Sequence, residues 1–220
     1  MDHPPVITEH GATLLDWANI ATMTHKPPES TSTPCEVRRA HRRDDRQCIL
    51  TSGDRYFQSM LAGIARAKTS VIIETYIFKL DSVGLKVIAA LSLAAKRGLE
   101  VRVLMDGIGS ADDGKTIAHQ LEKAGVTTKI YHPLPWQVSH YRRAIRRDSL
   151  LGQCLFFFQK INQRDHRKLC VVDSETLWTG SLNITSDHLS VEKGGAGWRD
   201  LGIKMSDATV TQAEDSFNRL

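Results

Sequence analysis

From Thr51 to the C terminus the apolar positions fall into two rhythms that alternate along the chain. The stretch "DRYFQSMLAGIARAK" spaces them as one face of a helix requires, and "SVIIETYIF" follows as a short, continuously apolar run, the pattern of a buried strand. "DSVGLKVIAALSLAAKRG" returns to helical spacing, with Asp81 or Ser82 placed to cap its start and Gly98 just past its end. "LEVRVLMDG" predicts a strand, "KTIAHQLEKAG" a helix closed by Gly125, and "VTTKIYHP" another strand. Further on, "LCVVD" and "TLWTG" predict two short strands joined by a turn at Ser174–Glu175. "WRDLGIKM" predicts a last strand and "ATVTQAEDSFNRL" a last helix. Strands alternating with helices in this way build an α/β sheet with helices packed on it.

Two segments break the rhythm. Residues 1–50 include "HKPPESTSTPCEVRRAHRRDDRQ", rich in Pro, Ser, Thr and charge and without a periodic apolar face, so they predict a flexible N-terminal arm ahead of a folded region spanning 51–220. The arm's cluster Arg38, Arg39, Arg42 and Arg43 is followed at once by Asp44 and Asp45, the composition of a solvated charge run. Between Pro133 and Asp165, Arg142, Arg143, Arg146 and Arg147 share one helical face ahead of Leu150, Leu151 and Phe156 to Phe158. Two readings stay open for this stretch: a surface that rests on anionic lipid and admits it to a site, or core aromatics beside solvated arginines.

Composition narrows the class. With 220 residues, 41% of them hydrophobic and 25% charged, the chain can bury one sizeable core. Its longest apolar stretches are far short of the ~20 residues that cross a bilayer. The N terminus, "MDHPPVITEHGATLLDWANI", lacks the basic region and apolar run of an export signal. Cys35, Cys48, Cys154 and Cys170 show no metal-ligand spacing, and a reducing cytoplasm is the simpler expectation.

The chemistry is concentrated between His166 and Asn183, in "HRKLCVVDSETLWTGSLN". Side chains alternate along a strand, so His166 and Lys168 point one way and Arg167 the other. Gly180 lets the backbone approach a ligand closely, and Ser181 and Asn183 add neutral hydrogen-bonding groups, which outlines an anion pocket. Asp173, five residues beyond Lys168, falls on the opposite face by parity and is expected to stabilise the motif rather than react. Any one of these residues alone is ordinary surface decoration. Their joint spacing is not: His-x-Lys, four residues, Asp, six residues, Gly-Ser-x-Asn.

That pattern resembles the signature of the phospholipase D superfamily. From about Thr51 to Leu220, "IIETYIF", "AAKRGLEVRVLMDGIGS", "HRKLCVVD", "GSLNIT" and "WRDLGIKM" resemble, in order and spacing, one catalytic repeat of a bacterial cardiolipin synthase of the type without transmembrane anchors. The resemblance implies a phospholipase D-like mixed sheet flanked by helices, and a phosphatidyltransferase that joins a phosphatidyl group to phosphatidylglycerol or a similar alcohol. It implies His166 as the nucleophile that forms a phosphohistidine, Lys168 and Asn183 as stabilisers of the phosphoryl oxygens, and Ser181 as a second donor. Asp200, in "WRD", matches the acidic position that orients the histidine. No metal ion or other cofactor is implied. The implied partners are a phospholipid, an anionic membrane surface on the cytoplasmic side where the protein would sit peripherally, and a second catalytic repeat.

The second repeat is the point of departure. Such synthases carry two motifs per chain, the second histidine protonating the leaving oxygen, and only one motif occurs here. Either two copies pair about a two-fold axis, or the chain is the N-terminal half of a longer protein, which the two-repeat resemblance favours. A homodimeric nuclease or phosphodiesterase of the same superfamily and an inactive half are the alternatives. Nucleic acid is disfavoured because the aromatic residues lie in one apolar block rather than interleaved with basic residues.

Overall fold

The computed structural model describes residues 46–132 and 164–220, all of which belong to one compact unit, Ala40–Leu220. The arm as far as residue 45, its arginine cluster, and the basic and aromatic stretch of residues 133–163 lie outside the described residues. Strands β1 (Gln47–Leu50), β2 (Ser70–Thr75), β3 (Glu100–Asp106), β4 (Thr127–Tyr131), β5 (Leu169–Val172), β6 (Thr176–Gly180) and β7 (Gly202–Met205) form one sheet in the order β1-β7-β6-β5-β2-β3-β4. The sheet is mixed. β2, β3 and β4 run parallel, and β5, β6, β7 and β1 continue from β2 by antiparallel pairing.

Helices α1 (Gly53–Arg66), α2 (Ser82–Lys96) and α3 (Gly114–Lys123) form and end where the sequence reading places them. Ser52 caps α1 by accepting the Arg55 N–H, and Asp81 caps α2 by accepting the N–H groups of Val83 and Gly84. Gly98 and Gly125 take φ of +87° and +89° just beyond α2 and α3, where a residue with a Cβ would be strained. All three helices contribute to one core with Val71, Ile73, Val103, Cys170 and Trp178 of the sheet. On α1, Tyr56, Phe57, Met60 and Ile64 are each at most 4% exposed, a burial that contributes roughly 1.5–3 kcal/mol per side chain. Gly63 lets α1 lie on the Trp178 indole, since a Cβ there would come within 2.3 Å of it. The opposite face, with Ile72, Leu169, Val171 and Leu177, packs on the last helix, α4 (Thr209–Asn218), through Val210, Ala213 and Phe217.

Three details depart from the sequence reading. Gln47–Leu50, assigned to the arm, is an edge strand whose residues pair with Met205 to Gly202. "WRDLGIKM" becomes a strand only from Gly202, and Trp198 to Leu201 remain a loop. The β5–β6 turn is centred on Asp173 and Ser174, both at φ +54°, the sign that primed hairpin turns need at their two central residues. Cys170 is a free thiol pushed up to about 12 by burial. Cys48 is disulfide-bonded.

Candidate active site

Because β5 runs against β2 and β6 against β5, the start of β5 and the ends of β2 and β6 meet at one end of the central strands. His166 and Lys168 enter β5 there, Tyr76 and Ile77 leave β2, and Ser181 and Asn183 leave β6. Lys168 is only 7% exposed and borders a small cavity with Tyr56, Phe57 and Met60. Its Nζ donates to the His166 carbonyl at 2.7 Å and lies 3.3 Å from His166 Nδ1 and 5.5 Å from the centre of the Tyr76 ring. Burial lowers the pKa of this ammonium, against the opposing pull of Asp165 and Asp200. An ammonium can only donate, so the contact assigns His166 Nδ1 as acceptor and Nε2 as the protonated nitrogen. The imidazole is exposed and leans on Tyr76, ring centres 4.5 Å apart at 50°.

Asn183 is held from its own side chain. Oδ1 accepts the Ile77 N–H at 3.1 Å, which leaves the amide NH₂ as the part available to an anion. Gly180 serves a different purpose from the expected approach to a ligand. At φ +146° it brings β6 against β7, and a Cβ would sit 2.2 Å from the Leu201 carbonyl.

The carboxylate expected to orient His166 is engaged elsewhere. Asp200 Oδ1 accepts the Ser181 hydroxyl at 2.6 Å and Oδ2 lies 2.6 Å from His188 Nδ1. These contacts, the Ser181 hydroxyl first, hold Asp200 below the usual carboxylate range. Among the described residues no carboxylate hydrogen-bonds the His166 ring, whose neighbours are Lys168 and Tyr76. The physical reason is that the loop before β7 brings Asp200 to Ser181 and to the buried His188.

Asp173 lies at the other end of β5, five residues or roughly 17 Å of extended chain from Lys168. Parity does not apply to it, because the strand has ended and Asp173 is in the turn. Its carboxylate accepts the N–H groups of Lys68, Thr69 and Ser70 and the Thr69 hydroxyl, lashing the hairpin to the start of β2. Burial opposes its ionisation, but these donors prevail and lower its pKa. Asp173→Ala is expected to cost about 2–4 kcal/mol, the scale for orphaning several donors to a charged group. Urea unfolding checks this, and a midpoint equal to wild type would remove the anchoring role.

Arg167 faces away from His166 and Lys168, although the three lie just ahead of β5 rather than in it. Its guanidinium meets Asp165 at 3.1 Å and Glu74 at 2.6 Å, and it donates to Ser216 of α4. Glu74 is 2% exposed, and its contact with Arg167 is too poorly aligned to count as a hydrogen bond. Burial, reinforced by Asp165, pushes its carboxyl from 4.5 up to about 8 despite Arg167. A carboxyl that binds its proton more tightly in the folded state contributes stability below its unfolded pKa and loses it as pH rises toward the folded value. Glu74→Gln is therefore expected to match wild type in thermal midpoint near pH 5 and exceed it near pH 8.5, by roughly 2–4 °C per kcal/mol recovered. Parallel melting curves at the two pH values check this, and an equal difference at both would sink it.

Tyr76 and His188 were not singled out in the sequence. Tyr76 lies inside a run that reads simply as strand, and His188 lies in a loop without a motif, its only signal being its place between Asn183 and Asp200.

Comparison with known proteins places this geometry. The family model described as "Cardiolipin synthase, PLD-like domain" matches residues 60–220. A cardiolipin synthase of Clostridium perfringens is 33% identical over 161 residues, which cover 73% of this chain and 30% of that protein. Cardiolipin synthase B of Salmonella typhi is 32% identical over 162 residues, covering 74% of this chain and 35% of that one. The chain thus spans about a third of the length of these curated relatives. Among solved structures, a phospholipase D family member, Nuc from Salmonella typhimurium, superposes with a TM-score of 0.51 at 18% identity, covering 79% of this chain and 91% of that one. Phosphatidylserine synthase of Haemophilus influenzae gives 0.55 at 15% identity, over 81% and 37% of the two chains. Those structures share the fold, and the family match carries the assignment: the chain belongs to the phospholipase D superfamily, with a phospholipase D-like domain of the cardiolipin synthase kind.

Proposed function

We propose that the chain is one catalytic repeat of a phosphatidyltransferase that transfers a phosphatidyl group to phosphatidylglycerol or a similar alcohol through a phosphohistidine on His166. The observation that carries the reading is the buried Lys168 ammonium beside an exposed imidazole, at the strand ends where Asn183 is fixed with its NH₂ spare. In the proposed reaction a phosphodiester draws the ammonium toward its own oxygens, and the neutral imidazole attacks phosphorus. The P–O bond to the leaving alcohol breaks, and that oxygen takes a proton from an acid outside this repeat. The acceptor alcohol then attacks the phosphohistidine, gives up its proton to that same group, and releases the imidazole. Negative charge on the phosphoryl oxygens is met by Lys168 and the Asn183 amide, with Ser181 as a further donor once it turns from Asp200. We place the site against an anionic membrane surface, where its substrate resides. No helix among the described residues is long and apolar enough to cross one.

The test is incubation at high protein concentration with labelled phosphatidylglycerol and, separately, with single-stranded and duplex DNA, each with and without EDTA. The expected result is a transphosphatidylated lipid, intact DNA and no effect of the chelator. Degraded DNA with untouched lipid would replace this reading with that of a nuclease.

A further inference from the structure

His188 sits in a single turn of 3₁₀ helix, Ser186–His188, and its side chain is 2% exposed, yet both ring nitrogens are in use. Nε2 accepts the Asn183 backbone N–H at 3.1 Å, and Nδ1 faces Asp200 Oδ2 at 2.6 Å. A backbone N–H only donates, so Nε2 carries no hydrogen and the ring proton sits on Nδ1, donated to Asp200. The other Asp200 oxygen accepts the Ser181 hydroxyl. One buried imidazole therefore links the backbone of Asn183 to the carboxylate that holds Ser181, the two neutral donors of the motif. Its seat is fitted: a Cβ on Gly53 would fall 2.1 Å from the His188 carbonyl oxygen, and Trp198 meets the ring edge-on at 5.5 Å.

We propose that His188 is a positioning residue that sets the phosphate-binding geometry of Asn183. It is not a second acid or nucleophile, because the lone pair on Nε2 and the proton on Nδ1 are both engaged inside the protein. With Ile77 gripping the Asn183 side chain and His188 its backbone, the amide NH₂ is fixed at both ends. The inference rests on the proposed reading only in taking Asn183 to bind phosphoryl oxygens.

The two bonds of His188 can be separated. In His188→Gln the side-chain carbonyl can accept the Asn183 N–H about where Nε2 stood. In His188→Asn the amide can still donate to Asp200 but falls short of Asn183. Inorganic phosphate is the calorimetric probe, in the full chain, together with thermal midpoints. His188→Gln is expected to keep phosphate affinity within about threefold of wild type. His188→Asn is expected to lose about tenfold, the scale of one hydrogen bond to a charged group. Added to Asn183→Ala, His188→Asn is expected to cost nothing further, because the group it positions is gone. Equal losses in the two His188 variants that follow their thermal destabilisation, additive losses in the double variant, or a wild type that does not bind phosphate would each overturn the proposal. Binding and turnover fail separately. A protein that shows the non-additive phosphate cycle but never turns over lipid keeps the His188 inference and loses the transferase reading. Lipid turnover with an additive cycle does the reverse.

Discussion

His166→Ala is expected to abolish turnover and, with it, any acid-labile phosphoenzyme trapped by rapid quenching with a labelled substrate. The nearest substitutes cannot take its place. The Lys168 amine is an ammonium without a lone pair, and His188 has its acceptor nitrogen committed to the Asn183 N–H. Loss of a nucleophile whose covalent intermediate defines the pathway costs on the order of 10⁴-fold or more. The fold should survive, because the imidazole is exposed and supports the structure only through Tyr76 and the 3.3 Å contact with Lys168. Phosphoenzyme retained in a well-folded His166→Ala protein would show that another residue attacks.

Specific activity per chain is expected to rise with protein concentration until pairing is complete, and to approach zero at high dilution. The leaving alcohol needs a proton, and among the described residues neither Asp200 nor His188 is placed to give it. Asp200 is ionised against Ser181 and His188, and His188 is buried with both nitrogens bonded. A second copy would bring a second His166, and a two-fold axis places like residues face to face. Mixing sharpens the test. If both histidines of a pair are needed, wild type randomly paired with an equal amount of His166→Ala leaves about a quarter of the pairs intact. Activity strictly proportional to concentration, and halved rather than quartered in the mixture, would show that one repeat suffices.

The parts of the fold legible in the sequence were those where one physical signal dominates. Asp81 with Gly98, and the run to Gly125, bound two helices because caps and positive-φ positions admit few residue types. Strand β1 was not legible: four residues, half of them exposed, beside a charge-rich stretch carry no period, and only pairing with β7 makes them a strand. At the site, the spacing of His166, Lys168 and Asn183 was readable because they flank a tight hairpin, whose pairing of Leu169 with Thr179 brings its two ends together. The destination of Asp200 was not. It depends on where a loop folds, and the partner that claims it, His188, lies in that loop without a pattern of its own. Asp173 was read as a stabiliser for the wrong reason. The parity argument presumed a strand that stops one residue earlier, whereas its anchoring comes from three backbone N–H groups more than a hundred positions away.

The strand order carries a consequence for how the protein is made. Gln47, in the first strand, is matched with Met205, in the last, and β7 in turn joins this edge to the β5–β6 hairpin that follows His166 and precedes Asn183. During synthesis the parallel strands β2, β3 and β4 can gather with their helices as they emerge, but β1 must wait, unpaired, for almost the whole chain. Contacts of such long sequence separation are slow to form. The pairing of β7 with β1 therefore closes the sheet in the final stage, and a ribosome stalled before β5 would hold a parallel half-sheet with an open margin, a species suited to chaperone capture.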